Sequence, residues 1–324
     1  MSPNQAAAPH ELSPPDADQP SERAGQATSR GIGQGGRPRT LWAWACLAPT
    51  FAGLLVFNYW PLLQTMYLST QKSDLFGRPA GFAGVDVYAG LLTDPAFGQT
   101  LLITLVFVVL SVAGKLIVGL ALAVPLAQRM RGTAFARATV LIPMAVSAAV
   151  AGLAFRAMMT PNTGILDQLS LQLSGETAGW LTSPTVAMVS VAMVDVWTSI
   201  GFVTLLFIAA IDAVPLEVIE ASSIDGAGWR HRLGSVILPL ITPTLFFVLV
   251  TQSMQAMREF TVISTVTGGG PGGATTTLVF EIYQQAFGGT ANYSAASAMG
   301  VILLVIIAVM TAVQFRFLER RVNY

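Results

Sequence analysis

Six long apolar stretches separated by polar ones set the pattern of this chain, at roughly residues 41–66, 101–126, 136–158, 185–211, 237–263 and 294–316. Each reaches the about 20 mostly apolar residues that carry a helix across a bilayer. In lipid such a stretch must satisfy its own backbone groups, which a helix does. The chain therefore reads as an all-α membrane protein with six transmembrane helices. Within the fifth stretch, Thr251, Gln252, Gln255, Arg258 and Glu259 interrupt the apolar run. Residues 1–40 lie outside the pattern. They are rich in Ala, Pro, Gln, Ser and Gly with almost no large apolar residues, so they are expected to form a disordered tail ahead of a membrane domain at 41–324.

Lys and Arg favour the cytoplasmic side of short loops. Arg129, Arg131 and Arg137 fall between spans two and three, Arg230 and Arg232 between four and five, and Arg316, Arg320 and Arg321 after six. The opposite side holds Lys72 and Arg78, with Arg156 near its boundary. Both termini are accordingly expected in the cytoplasm, together with the polar loop after span four. Arg23, Arg30, Arg37 and Arg39 precede span one as a cytoplasmic anchor. The apolar run begins too late for a secretory signal, and no clean cleavage site follows it.

Composition narrows the function. The 324 residues are 53% hydrophobic and 10% charged, with mean hydropathy +0.62, against about 25% charged residues in soluble domains. A net charge of zero offers no basic surface for nucleic acid. The single Cys46, inside an apolar run, excludes a disulfide framework and a cysteine-ligated metal site. His10 and His231 both lie outside the spans, which leaves no nucleophile–base pair in the membrane. No catalytic residue, cofactor or metal is expected. The G-x-x-x-x-G-K phosphate cradle is also missing, so ATP would have to be bound by another chain.

The polar loop EASSIDGAGWRHRLGSVILP, Glu220 to Pro239, has a helix-bend-helix pattern. Pro215 suits the first turn of a helix, where a missing N–H costs nothing, and Glu217 and Glu220 then favour its dipole. Gly226 and Gly228 break the run, and a second short helix is expected from Trp229 to Pro239. An ordinary inter-span loop is the plainer reading of the composition. The spacing, however, resembles the E-A-A-x-x-x-G-(nine residues)-I-x-L-P signature of permease subunits of bacterial ATP-binding-cassette (ABC) importers. Glu220, Ala221, Gly226, Leu238 and Pro239 match it, with Ser222 for the second alanine and Val236 for isoleucine.

Further segments resemble the same family: GFAGVDVYAGLLTDPAF before span two, DVWTSIGF in span four, TGGGPGGATTTLVFEIYQQAF after span five and VQFRFLERRVNY at the end. The ATTTL run and this ending are most similar to the glycerol-3-phosphate permease subunits of the maltose-type group. The resemblance implies the ABC importer permease fold over residues 41–324 and a multi-pass location in the bacterial inner membrane. It also implies an ATPase-coupling loop at about 213–236, with Glu220, Ala221, Ser222, Asp225, Gly226, Leu238 and Pro239 as its docking residues. The expected partners are two ATPase subunits, a second permease subunit, an extracytoplasmic solute-binding protein and membrane lipid. The solute would be a sugar or a glycerol-3-phosphate-like compound.

Polar residues within the spans are candidates for the substrate path, because ionisable groups in lipid need a partner or a cavity. Thr251, Gln255, Arg258 and Thr261 recur at three- and four-residue spacing on roughly one helical face, flanked by Gln252 and Glu259. Hydroxyls and amides suit polyol groups, and a guanidinium suits a phosphate. Arg258 reads alternatively as neutralised by Glu259 or by a partner permease. Asp195 reads equally as a structural tie or a path residue, and Lys115, among small residues that suit close helix packing, as structural or snorkelling. The run Gly268–Gly273 with Pro271 must end span five, either as a flexible outer turn or as a backbone loop on which a delivery protein presses. In this family Phe260 is often followed by an acid, and Thr261 departs from that. An ion- or proton-coupled secondary transporter using Asp195, Glu259 and Lys115 is the competing reading.

Overall fold

The computed structural model describes residues 36–74, 77, 79–128, 132–224, 228–289 and 291–318. Most of the expected disordered tail, up to residue 35, lies outside the described residues. The chain divides into two compact units, 1–57 and 58–324. In the first, helix α1 (Gly36–Leu54) begins five residues ahead of the expected span, with Trp44 and Phe51 one above the other at 6.4 Å and Cys46 exposed. A π-helical turn over Leu55–Tyr59 follows, just ahead of Pro61. Proline has no N–H to donate and its ring crowds the preceding turn, so the turn widens.

The second unit begins with α2 (Trp60–Leu68) and a two-stranded antiparallel hairpin, β1 (Gln71–Ser73) with β2 (Pro79–Phe82). The strands are an addition to the all-helical expectation. They are too short, and too polar on one side, to leave an alternating pattern. Helix α3 (Asp86–Thr93) leads into α4 (Pro95–Ala127), capped by Asp94, whose carboxylate accepts the Ala96 N–H at 2.9 Å. Then come α5 (Thr133–Ala145), α6 (Ala148–Met159), α7 (Ile165–Ser174) and α8 (Pro184–Asp212).

Helices α4 and α8 form the centre of this unit. Gly114 and Gly119 of α4 meet Val196 and Val203 of α8 so closely that an added Cβ would come within 2.7 and 2.6 Å of a valine methyl. Small residues let membrane helices approach in this way. Around the pair, one apolar cluster joins Phe107, Val191, Val194 and Ile263, and a second joins Ala123, Phe207, Ile241 and Val248.

Four of the six expected spans are continuous helices: Trp44–Leu68, Pro95–Ala127, Pro184–Asp212 and Tyr293–Arg316. The other two, expected at 136–158 and 237–263, are each a bent pair of helices. Helices α5 and α6 meet at 96° across an extended Val146–Ser147 link, with Pro143 in the turn before it. After α9 (Leu216–Ile224), α10 (Trp229–Arg232), a second π-helical turn (Leu233–Ile237) and α11 (Leu238–Leu240), the chain bends by 65° at Ile241. Pro243 then opens α12 (Thr242–Met257). Span five breaks again between Arg258 and Phe260 before α13 (Thr261–Val266), and α14 (Leu278–Phe287) and α15 (Tyr293–Leu318) complete the unit.

The α5–α8 crossing depends on Gly201. A Cβ there would lie 2.8 Å from the Val140 carbonyl oxygen and 3.3 Å from Leu141 Cα, and backbone cannot move aside as a side chain can. Gly201→Val is expected to cost about 1–3 kcal/mol as an overpacked site, seen as a lower unfolding temperature in detergent. Gly300→Ala on α15, where an added Cβ meets nothing within 4 Å, should be neutral or slightly stabilising.

Candidate functional site

The polar loop after span four folds as its sequence suggests at its start. The chain turns helical directly after Pro215, whose carbonyl accepts the Val218 N–H at 3.1 Å, and α9 ends at Ile224. Ile219 and Ser222 are half-buried on its inner side, where the Ser222 hydroxyl donates to the Ile219 carbonyl at 2.7 Å. Glu217, Glu220 and Ala221 are exposed, and Ile224 is 86% exposed at the tip. Asp225 and Gly226 lie outside the described residues.

The return limb is tied to the core. Ile237 and Ile241 are buried, and half-buried Leu238 packs with them against α8, while Pro239 is exposed. The return limb is thereby packed against residues of both α8 and α12. Arg137 fastens the neighbouring helix ends, with Nη2 3.5 Å from an Asp212 oxygen and Nε donating to the Leu126 carbonyl at 2.9 Å. Beneath α9 a cavity of about 590 Å3 is lined by Val124 and Ala127 of α4, Ile211 and Asp212 of α8, and Leu216 and Ile219 of α9. The cavity separates part of α9, the knob of this loop, from the ends of α4 and α8.

Span five carries the second group of candidates. Gln255 and Arg258 are exposed and Thr251 is half-buried, so the spacing does place them on one open face. The Thr251 hydroxyl donates to the Phe247 carbonyl at 2.8 Å, and Arg258 Nε donates to the Met254 carbonyl at 3.2 Å. Gln252 is 1% exposed and sits in the core with Ser253. One residue's step turns a helix by about 100°, enough to separate it from Thr251.

Arg258 and Glu259 part company at the break in the span. The Glu259 carboxylate accepts the Val262 N–H at 2.8 Å, supporting the first turn of α13. The Arg258 guanidinium makes no ion pair among the described residues. The neutralisation of Arg258 by its neighbour, one of the sequence readings, is not what the side chains do.

Asp195 and Lys115 are together in the core. Lys115 Nζ is 2.8 Å from Asp195 Oδ2, and the Ser111 hydroxyl donates to the same carboxylate. Lys115 is 0% exposed, so it does not snorkel. The pair ties α4 to α8.

After α13 the glycine run is a knot rather than a flexible turn. Gly268, Gly269, Gly272 and Gly273 all have positive φ, from 56° to 85°, which side chains resist. The Thr275 hydroxyl donates to the Gly270 carbonyl at 2.7 Å and the Thr276 hydroxyl to the Gly269 carbonyl at 3.2 Å. The Thr275 and Thr276 N–H groups close onto Gly269 and Gly273. Thr104 of α4 accepts the Leu278 N–H at 2.8 Å and so anchors α14.

An aromatic group next to Arg258 escaped the sequence reading. Phe260 lies 5.9 Å from Phe280 and 4.8 Å from Tyr283, and Tyr283 lies 5.4 Å from Phe287. Phe280, Tyr283 and Phe287 recur at three- and four-residue spacing on α14, a legible signal of one face.

Comparison with known proteins agrees with this geometry. The family described as binding-protein-dependent transport system inner membrane component matches residues 91–324. The sn-glycerol-3-phosphate transport system permease protein of Agrobacterium fabrum is 35% identical over 288 residues, 89% of this chain and 98% of the relative. That of Brucella suis is 36% identical over the same shares. In fold, the chain is similar to a chain of a bacterial alginate ABC transporter crystallised with an alginate pentasaccharide-bound periplasmic protein. The TM-score is 0.76 at 21% identity, covering 88% of this chain and 96% of that one.

Proposed function

Because the chain belongs to the family of binding-protein-dependent transport system inner membrane components, we propose that it forms half of the pore of an ATP-driven importer for a phosphorylated polyol or sugar of the glycerol-3-phosphate kind. The observation that carries the solute class is the exposed, unpaired Arg258 on the polar face of span five, in a chain this similar to sn-glycerol-3-phosphate permeases. A guanidinium holds a phosphate bidentately, and Thr251 and Gln255 on the same face offer hydrogen bonds to hydroxyls.

In this reading both termini and the loop at 213–236 are cytoplasmic. Each of two ATPase subunits receives one knob, this chain's or that of a second permease, which supplies the other wall of the path. Hydrolysis of ATP takes place on the ATPases, and this chain is non-catalytic. A solute-binding protein delivers the solute from the outer side, where the hydrogen-bonded glycine knot offers it a firm surface. ATP-driven closure moves the knobs and shifts the pore between inward- and outward-facing states. The relatives support the importer reading rather than the ion-coupled alternative, and Asp195 and Lys115 of its relay are paired with each other inside the core.

Uptake by the reconstituted importer tests the solute class. Arg258→Ala should slow uptake of glycerol-3-phosphate by roughly 10- to 100-fold, the size of a lost charge-assisted hydrogen bond, while a neutral sugar or polyol is affected far less. Equal effects on both would remove the phosphate role.

A further inference from the structure

We propose that α7 lies in the lipid surface, with Ile165, Leu169 and Leu173 against phospholipid on the side of the membrane away from the knob. Helix α7 stands between the bent third span, which ends with α6, and the fourth, which is α8. Because α8 runs from there to the start of the knob, α7 marks the opposite boundary of the membrane.

The helix has three faces, set by about 100° of turn per residue. Leu166, Asp167 and Ser170 face the protein. Asp167 is buried and accepts the Asn162 N–H at 2.8 Å, and the Ser170 hydroxyl accepts the Ala178 N–H at 3.1 Å. Ile165, Leu169 and Leu173 share a sector about 80° wide, with Ile165 71% and Leu173 80% exposed. Gln168 and Gln172, with Leu171 beside them, take the remaining flank. One face on protein, one apolar and one mostly polar suit a corner where protein, lipid and water meet.

The surroundings of α7 put lipid on its apolar face. Its start is fastened to the end of a membrane helix, so it cannot rise far from the boundary. The Gly164 N–H donates to the Thr160 carbonyl at 2.8 Å, and Gly164 lies too close to the Met158 carbonyl for any side chain. An exposed apolar stripe of α6, Val150, Leu153 and Ala157, leads up to that junction. Arg156, in the last turn of α6, is exposed and makes no ion pair among the described residues. A cation at a helix end reaches for the phosphate layer in this way. A soluble partner that docks and leaves would return the stripe to water in every cycle. It would also find no exposed charge on α7, whose one ionisable side chain is the buried Asp167. Three side chains fall far short of the about 800 Å2 per partner of a stable protein interface. Seated in lipid, α7 holds the end of the bent span at a fixed depth.

The experiment uses the complete importer, with cysteine-free partner subunits, in vesicles of phosphatidylethanolamine and phosphatidylglycerol. A single cysteine replaces Ile165, Leu169, Leu173, Gln168 or Leu171 in a Cys46→Ala chain and carries a small fluorophore. All five positions are exposed, so the label should leave the fold intact. Lipids bearing a doxyl group near the top of the acyl chain should quench the three stripe positions by roughly half or more, because an interfacial helix buries its apolar face about 5–10 Å deep. Gln168→Cys and Leu171→Cys should instead be quenched by aqueous iodide, and adding the binding protein should change neither pattern. The proposal is overturned if iodide quenches the stripe and the binding protein shields it, since the stripe is then a protein contact. It is equally overturned if neither quencher reaches the stripe, because the second permease then covers it, or if lipid quenches both flanks alike. Solute uptake is read separately, so failure of the importer reading leaves the quenching result standing.

Discussion

Charge reversal at Glu220 is expected to leave ATP hydrolysis running while transport collapses. Glu220 is exposed on α9, beside Glu217 and behind the apolar tip at Ile224. Among the described residues its carboxylate is in no ion pair, so Glu220→Lys should insert and fold normally. Its effect lies at the contact with the ATPase. Truncating one member of a buried charged contact at an interface costs about 2–5 kcal/mol, which is roughly 30-fold or more in occupancy of the docked state, and reversal should exceed truncation. Vesicles carrying the variant should hydrolyse ATP and accumulate almost no solute. Wild-type accumulation would mean that α9 does not dock an ATPase.

Removing one charge of the Lys115–Asp195 pair should have the largest effect on stability. Asp195→Asn leaves a fully buried ammonium without its counter-charge, and such a change costs about 3–5 kcal/mol out of a typical total near 5–15 kcal/mol. The single variant is expected to accumulate poorly and to unfold at a much lower temperature in detergent. The double variant Lys115→Met/Asp195→Asn should recover most of that loss, because exchanging a whole buried ion pair for neutral groups is often close to neutral in stability. A double variant no more stable than the single one would show that the pair is not the main tie between α4 and α8.

The sequence makes legible the features that depend on local composition. Spans one, two, four and six are long apolar runs, and they are continuous helices. The bends at Val146–Ser147 and Ile241 were hidden because prolines such as Pro143 and Pro243 are tolerated inside membrane helices, so a proline marks a weak point without fixing an angle. The stripe of Thr251, Gln255 and Arg258 follows from helical spacing alone, and the burial of Gln252 follows from its one-residue offset. The split between Arg258 and Glu259 was not legible, because it depends on a break in the helix, where the Glu259 carboxylate accepts the Val262 N–H. The glycine run likewise looked flexible until Thr275 and Thr276 closed it, and the short hairpin near residue 75 left too few residues to form a pattern.

Affinity purification of this chain from its native membrane, in mild detergent, tests most directly whether it is a subunit of an ATP-driven importer. Two ATPase subunits and a second permease should co-elute with it, and the Glu220→Lys chain should retain less ATPase while keeping the permease. Recovery of this chain alone, active in uptake driven by an ion gradient without ATP, would contradict the importer assignment.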